Sequence, residues 1–490
     1  DIVDKKTFAP KTITGEVSVI KGIPIIYGRR RTDGIVVFKE MVKGTQTGAF
    51  GRHTWYLVYA LCEGETNGLE GVWVDEKYTS TNPGVSGVTT TAYGKTDTAN
   101  YSVSWTNTNG QSSGVYHGRS AFGLVNGLSW TSASDKLKGI TNIHVKYQYD
   151  GDLDTKDAQL AKLSFDVRGK NIRDVYDNFS SDPAKYDIAG NAGVPGDEEG
   201  KNPALCLLDY LTNTTFGAGI SISDIDLLSF RVVQNYCDEE PVSGIKRHQC
   251  NIELDSQQPI VNNIKRLLKT CNGQLLWISG QYVLKVDKVL SSVMTFNTTN
   301  IIGGIKINGE SKSTKANQVT ASYIEPNNNW KMDTVSWPDK VADAATYTLF
   351  LDTEDNGSPL KRKITLEGVA SVGSDGFHQA RYLAQQACLR SRNNLKVSFR
   401  ATAEAMNLIP SDVVSITHET PAWIAKDFIV RKVAMNNDGT INLQCSEYQA
   451  ATYTWNQAEA PLIVPDTTLP DQSIVIAPLD LKIEETTYSS

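Results

Sequence analysis

The residues best able to hold a metal ion lie between positions 237 and 250. Cys237 is followed by three carboxylates at 238–240, and His248 and Cys250 come shortly after. Thiolate, imidazole and carboxylate groups all bind zinc, but zinc sites use closely spaced pairs of Cys or His. The spacing here matches no such pair, so the sequence favours a chance grouping, and we expect no bound metal.

A second set of carboxylates has the alternate spacing of a calcium-binding EF-hand loop. Asp150, Asp152 and Asp154 alternate as the ligands of an EF-hand do. Thr155 replaces the glycine of the sharp turn, and Ala161 stands where the bidentate glutamate is needed. The sequence therefore predicts an acidic turn rather than a calcium site.

No other pattern supplies a catalytic site or a cofactor site. Gly94-Lys95-Thr96 resembles the end of a phosphate loop, but Thr89 occupies the first glycine position of that motif. The six histidines are scattered along the chain and no pair of carboxylates stands out. A glycosidase pair would not be recognisable from sequence alone. We expect a protein that is not an enzyme and that has no cofactor.

Three consecutive arginines, Arg29, Arg30 and Arg31, precede a turn at Asp33-Gly34. The runs 23–28 and 35–38 on either side are rich in β-branched residues, which predicts a hairpin with the arginines on its loop. A solvated loop is the simpler interpretation. The functional interpretation is contact with another subunit or with phosphate, which guanidinium groups bind well.

The clearest element is a helix that begins after Asn202. Asn202 can cap the first turn, Pro203 suits the next position, and leucines recur at helical spacing up to 211. Phe216 follows as an aromatic plug, with Gly217 and Gly219 beside it. Similar patterns predict helices at 225–239, 259–271 and 377–388, and a hairpin at 275–286 that turns at Ser279-Gly280.

Composition sets the broad class of the molecule. A chain of 490 residues exceeds one ordinary core and predicts about three or four domains. Plentiful Thr, Ser, Asn and Gly favour a β-rich architecture. The net charge of −7 argues against a general nucleic-acid binder, and no apolar run approaches the roughly 20 residues of a membrane span.

Seven widely spaced cysteines are an odd number, and several follow apolar residues. This usage is typical of buried free thiols in a protein folded in a reducing cytoplasm. The chain begins with Asp1 rather than Met, and residues 477–483 look like the first strand of a fibronectin-type module. We therefore expect the native product to extend beyond both ends.

Several segments, in a shared order, resemble the tail tip attachment proteins (protein J type) of lambda-like siphophages. The first is the helix that begins with Asn-Pro-Ala-Leu at 202–205 and is followed by Phe-Gly-Ala-Gly at 216–219. The others are Pro-Ile-Ile-Tyr-Gly-Arg-Arg-Arg at 24–31, the Leu-Cys-Glu-Gly turn at 61–64, Arg-Gly-Lys-x-Ile-x-Asp at 168–174, and Leu-Ile-Pro-Ser-Asp at 408–412. Glu65-Thr66 departs from the pattern, because a Pro-Ile pair is commoner there.

The resemblance implies a mainly β fold with α+β insertions, in which β-barrel or β-sandwich domains like those of a phage baseplate hub form a trimeric ring. The domains expected from it are 1–78 with 136–200 (N-terminal β hub domain), 79–135 (inserted Ser/Thr/Gly-rich β domain), 201–290 (α/β hub domain), 291–455 (second β-barrel hub domain) and 456–490 (linker and start of a fibronectin-type module).

It also implies a structural virion protein, the central hub of a long non-contractile tail, assembled in the host cytoplasm. The implied partners are two further copies in a homotrimer, the distal tail protein, the tape-measure protein and other tail-tip proteins. The host receptor would be reached through C-terminal modules, and phage DNA would pass through the lumen without sequence-specific contact. The interface candidates are Arg29, Arg30, Arg31, Phe216, Gly217 and Gly219.

Two alternatives remain open. The aromatic and Ser/Thr-rich stretch 79–135 would also suit a carbohydrate-binding or depolymerising β protein, because sugars stack on Trp and Tyr. The fibronectin-like end would suit a cell-surface adhesin, although odd free cysteines are unusual in secreted proteins.

Overall fold

A computed structural model describes residues 22–43, 52–64, 66–74, 76–79, 89–95, 100–108, 137, 139–150, 162–170, 172, 200–309, 314–370, 375–393 and 395–455. Across these ranges the chain forms twenty-two strands and five α-helices. The protein is therefore mainly β with interspersed helices, as predicted. The carboxylates at 152–154 and the fibronectin-like end at 456–490 lie outside the described residues.

The N-terminal strands form two antiparallel sheets that share one core. Neighbours in one sheet are β3-β4-β9-β8-β7, and in the other β2-β10-β5-β6. Tyr59 and Phe165 meet between the sheets with ring centroids 5.1 Å apart. The strands are β1 (Ile25–Tyr27), β2 (Arg29–Thr32), β3 (Ile35–Lys43), β4 (Arg52–Glu63), β5 (Thr66–Val74), β6 (Lys77–Thr79), β7 (Thr89–Lys95), β8 (Asn100–Thr108), β9 (Ile140–Asp150) and β10 (Leu163–Lys170).

The described part of the 79–135 stretch continues the first of these sheets. β7 and β8 form a hairpin, and β8 pairs with β9 from Asn100 opposite Asp150 to Thr108 opposite Asn142. These strands therefore extend an existing sheet through backbone hydrogen bonds. The side chains of the aromatic residues that prompted the sugar-binding alternative lie outside the described residues.

The predicted hairpin at 23–38 is wrong. β1 pairs with the later strand β11 (Ile252–Leu254), β2 with β10, and β3 with β4. Gly28, at φ +66°, separates β1 from β2, and Gly34, at φ +65°, separates β2 from β3. The sequence correctly marks the turn at Gly34, but each short run finds a partner far away in the chain.

An α/β unit follows, with its own core. Its elements are α1 (Pro203–Thr212), α2 (Leu227–Asp238), α3 (Ile260–Cys271), and the hairpin β12 (Gly273–Ile278) and β13 (Gln281–Val286). Buried leucines of α1 pack against residues of α2, α3 and β13. Asn272 follows α3 in the left-handed conformation at φ 57°. This conformation ends the helix because it cannot continue a right-handed one. The helix and hairpin predictions for this region are confirmed.

The C-terminal half combines a six-stranded sheet with a three-stranded sheet covered by a helix. Their orders are β14-β20-β21-β22-β19-β15 and β17-β16-β18, and the long helix α5 packs on the second. The elements are β14 (Met294–Phe296), β15 (Ile301–Gly309), β16 (Gln318–Glu325), β17 (Lys331–Trp337), α4 (Ala344–Thr348), β18 (Lys361–Ala370), α5 (Asp375–Arg392), β19 (Leu395–Ala401), β20 (Val413–His418), β21 (Trp423–Met435) and β22 (Ile441–Glu447).

None of the helices in these described ranges is long and apolar enough to cross a bilayer. All seven cysteines are buried and free, which confirms the prediction of buried thiols. Burial raises the pKa of the Cys62, Cys388 and Cys445 thiols to about 12, so these groups stay protonated and behave as small apolar side chains.

Replacing Asn202 by Ala tests how much the α/β unit depends on its first helix cap. The Asn202 side chain accepts from the Ala204 N–H and donates to the Gln234 carbonyl at 3.1 Å and to Asp238 at 2.8 Å. Because N202A removes the cap of the Ala204 N–H and both hydrogen bonds from Asn202 to α2, we expect a loss of about 2–3 kcal/mol in urea unfolding. The exposed Asn262→Ala on α3 is the matched control and should change stability by less than about 0.5 kcal/mol.

Candidate functional site

The arginine triplet lies on strand β2 and not on a loop, which corrects the prediction. Arg29 forms a two-pronged ion pair with Asp166 of β10, with Nε 3.0 Å from Oδ1 and Nη2 2.6 Å from Oδ2. Asp166 is 1% exposed, so its charge is almost fully removed from water. A buried carboxylate needs such a partner, and loss of the guanidinium would remove this ion pair while the carboxylate stays buried.

Arg31 contacts residues beyond β10, at Trp73, Glu76 and Asn329. Its guanidinium lies over the Trp73 ring at 4.2 Å from the centroid, and Nη2 is 2.7 Å from a Glu76 carboxylate oxygen. Nη1 donates to the carbonyl of Asn329, in the turn between β16 and β17. The stacked and forked geometry is one that lysine could not reproduce.

Arg30 points to the opposite side of the strand. Its Nη1 lies 3.5 Å from the carbonyl of Glu367 on β18, and Arg266 of α3 pairs with the carboxylate of the same glutamate. Burial lowers the pKa of the Arg30 guanidinium from its ordinary value, although it stays charged at any physiological pH. The three arginines thus tie β2 to β10, to the β16–β17 turn and to β18. Their role at an interface between subunits stays a prediction.

Phe216 packs against the core of the α/β unit, as the plug interpretation requires. The Lys170 ammonium sits over its ring, 4.6 Å from the centroid, and pairs with Asp209 of α1 at 2.8 Å. The Tyr27 hydroxyl donates to the same carboxylate at 2.6 Å. Burial, followed by the Asp209 charge, raises the pKa of Tyr27 well above its ordinary value. The structure therefore links Phe216 to β1 and β10, next to the arginine strand.

Gly217 and Gly219 shape the turn after Phe216 for different reasons. A Cβ atom on Gly217 would lie 2.0 Å from the Tyr210 carbonyl oxygen, so the close approach of two backbones excludes any side chain. A Cβ atom on Gly219 would meet only Thr214, at an ordinary contact distance of 3.8 Å, but Gly219 adopts φ +64°, which is costly for other residues. The backbone N–H groups of Ala218 and Gly219 donate to the carbonyls of Tyr210 and Asn213, which closes the end of α1.

An aromatic clamp that sequence reasoning missed surrounds His248. His248, 1% exposed, lies between the rings of Tyr236 and Tyr382 at centroid distances of 5.9 and 5.7 Å. Tyr382 in turn packs on Trp455 at 4.6 Å, and the Arg247 guanidinium lies over the Tyr236 ring at 4.7 Å. Burial, followed by the charge of Arg247, lowers the pKa of His248 to about 3.

The clamp holds the last described residues of the chain on α5. Tyr382 donates to the Tyr453 carbonyl at 2.9 Å, and Gln385 donates to the Thr454 carbonyl at 3.0 Å. The members come from four distant positions, so no local pattern could have revealed them.

The geometry gives no support to the zinc interpretation. His248 is enclosed by aromatic rings, Cys250 approaches Cys206, and Cys237 approaches Cys271. Throughout the described part of the chain, no three His, Cys, Asp or Glu residues are placed to share a metal ion. The thiols that looked like ligands pack in the core of the α/β unit instead.

Comparison with known proteins places these features in a biological setting. Residues 260–427 match the Phage-tail_3 family of phage tail proteins. The chain is 22% identical over 502 residues to the baseplate hub protein pb3 of Escherichia phage T5, covering 89% of this chain. The chain is similar to phage tail hub proteins. The resemblance predicted from its motifs is therefore confirmed as a similarity to phage tail hub proteins.

The hub-like chain spans about half of that relative, covering 49% of its length. A solved structure from the virion of a native gene transfer agent particle shares the fold, with a TM-score of 0.62. That match covers 91% of this chain and 89% of the other, at 14% identity. The fold predicted from composition and motifs thus recurs in an assembled virion.

The two glycines of the Phe216 turn should tolerate alanine to different degrees. Gly217→Ala forces a methyl group into the Tyr210 carbonyl, and we expect a loss of about 1–3 kcal/mol. Gly219→Ala meets no atom closer than 3.8 Å but strains the backbone, which should cost about 1 kcal/mol. Gly304→Ala, in open space with ordinary backbone angles, is the control. Urea unfolding of the three variants should follow this order, and equal losses would contradict the proposed cause.

His248 should make the hub-like protein less stable in mild acid. Its pKa is about 3 when folded and near 6.5 when unfolded, so between these values the unfolded chain binds more protons. Stability therefore falls as the pH drops below about 6.5. His248→Phe keeps an aromatic ring but cannot take up a proton. Between pH 7 and pH 5 it should lose about 2 kcal/mol less than the parent protein in urea unfolding. Parallel losses would show that His248 does not titrate as described.

Proposed function

We propose that this chain is the central hub of a long non-contractile phage tail tip. The observation that carries the proposal is the similarity to a baseplate hub protein over 89% of the chain. In this role three copies form a ring that joins the tail tube to receptor-binding modules and gates the DNA channel during attachment. The predicted domain boundaries belong to this proposal as well.

The hydrogen bonds and ion pairs between its sheets support a rigid structural role for the chain. Strand β2 ties the N-terminal sheets to β18 and to the β16–β17 turn through side chains of all three arginines. A ring of identical subunits needs heterologous contacts, in which different patches of one chain meet in each interface. A chain whose separate sheets are cross-linked in this way can hold two such patches at a fixed distance. Phe216 and its glycines, near the arginine strand, are the proposed contact surface.

The aromatic clamp around His248 could anchor the segment that leads to the proposed receptor-binding modules. It fixes residues 453–455 on α5 just before the Pro/Asp-rich segment 456–475. We propose that modules after this segment contact the host receptor. On the other side of the ring, the distal tail protein, the tape-measure protein and other tail-tip proteins are the proposed partners.

Location in the virion tests the proposal. In the phage that encodes this chain, a gold-labelled antibody against residues 201–455 should mark the tail end that lies away from the capsid. Deleting the coding region should yield particles without finished tails, because the tail would lack the proposed link between its tube and its tip. Label on the capsid or along the tail shaft, or normal tails from the deletion, would contradict a hub role.

A further inference from the structure

A polar cleft opens between the six-stranded sheet and the C-terminal end of α5. Its floor is the exposed face of β15, β19 and β22, and Arg390, Asn393 and Tyr453 form one wall. The cleft encloses about 660 Å³. This volume is in the range of pockets that bury most of a small ligand.

The cleft is positively charged although the chain as a whole carries −7. Lys306, Lys396, Arg390 and Arg431 all line it. Among the lining residues in the described ranges, Glu447 is the carboxylate, and Lys426 already neutralises it at 2.8 Å. The excess of positive charge is therefore local and not a reflection of composition.

Two of these cations have no partner within the part of the chain that the structure describes. The side chains of Lys306 and Arg431 form no ion pair or hydrogen bond there, whereas Arg390 pairs with Asp287 at 3.2 Å. Lys432 adds another charge on the same sheet, where the pairing register aligns it with Gln444, Ser398 and Lys306. Such unpaired cations repel each other, and a bound anion would relieve that repulsion.

A β-bulge brings two adjacent cations to this surface. The pairing of β21 with β22 shifts between Val430 and Lys432. Val430 is buried and Val433 packs against the sheet core, while Arg431 and Lys432 between them are both exposed. A regular strand would turn one of the two inward, so the bulge doubles the positive charge on the outer face.

We propose that this cleft binds an acidic, extended segment of another protein. Carboxylate side chains would pair with Lys306 and Arg431, and the polar groups of Asn308, Ser398 and Gln444 would bond to the peptide backbone. A concave site of this volume admits the single side chains of a peptide. Duplex DNA presents its phosphates on a convex surface and therefore fits the cleft less well. The inference holds whether or not the chain forms the ring proposed above.

Fluorescence anisotropy on the purified full chain tests this inference. The probe is a dye-labelled peptide of alternating Glu and Ser at low ionic strength, and its Gln-and-Ser analogue is the uncharged comparison. The acidic peptide should bind and the analogue should not, and added salt should weaken binding. The double variant K306E/R431E should reduce the affinity by about tenfold or more.

The matched control is K361E/R362E, which reverses one exposed Lys and one exposed Arg on β18. It makes the same change in net charge and should alter the affinity by less than about twofold. The inference would be overturned if the acidic peptide did not bind, if K306E/R431E left the affinity unchanged, or if the control variant lost as much affinity. It would also be overturned if duplex DNA bound more tightly than the peptide and K306E/R431E weakened that binding to the same degree.

Discussion

The close contact of two backbones at Gly28 and Gly169 is the constraint on which the rest of the structure depends. The Gly169 N–H donates to the Gly28 carbonyl at 2.6 Å, and a Cβ on Gly169 would lie 2.3 Å from that oxygen. Because no side chain separates the two backbones, β2 pairs edge to edge with β10. Arg29 can then reach the buried carboxylate of Asp166. The Gly28 N–H donates to Gly200, which places α1 beside the same crossing. The N-terminal sheets and the α/β unit are joined at this point.

Local signals in the sequence predicted much of the α/β unit. Asn202 caps α1, Asn272 ends α3, and Ser279-Gly280 turns the β12–β13 hairpin, because each depends on residues next to it in the chain. The mainly β character also followed from composition. The arginine strand could not be predicted, because its partner Asp166 is 137 residues away from Arg29. The same holds for the His248 clamp, which joins residues from four separate segments.

The candidate site was predicted in part. Phe216 packs as a plug, as its aromatic character beside glycines suggested, but its contact with Lys170 depends on folding. The turn at Asp33-Gly34 between two β-prone runs predicts a hairpin with the arginines on its loop, whereas the structure places them on β2. The cationic cleft could not be predicted, since sheet register and a bulge bring Lys306 and Arg431 together, and Arg390 reaches them from helix α5.

The geometry and the comparisons lead to one account of the molecule. The chain, which is similar to phage tail hub proteins, cross-links its sheets internally, keeps its thiols buried and carries a cationic cleft although its net charge is −7. The central claim of the function that we propose for it is that three copies surround the tail axis. Cryo-electron microscopy of tail tips from the encoding phage, classified without imposed symmetry, tests it most directly. We predict three copies of the fold around an axial channel, and any other copy number around that axis would contradict the account.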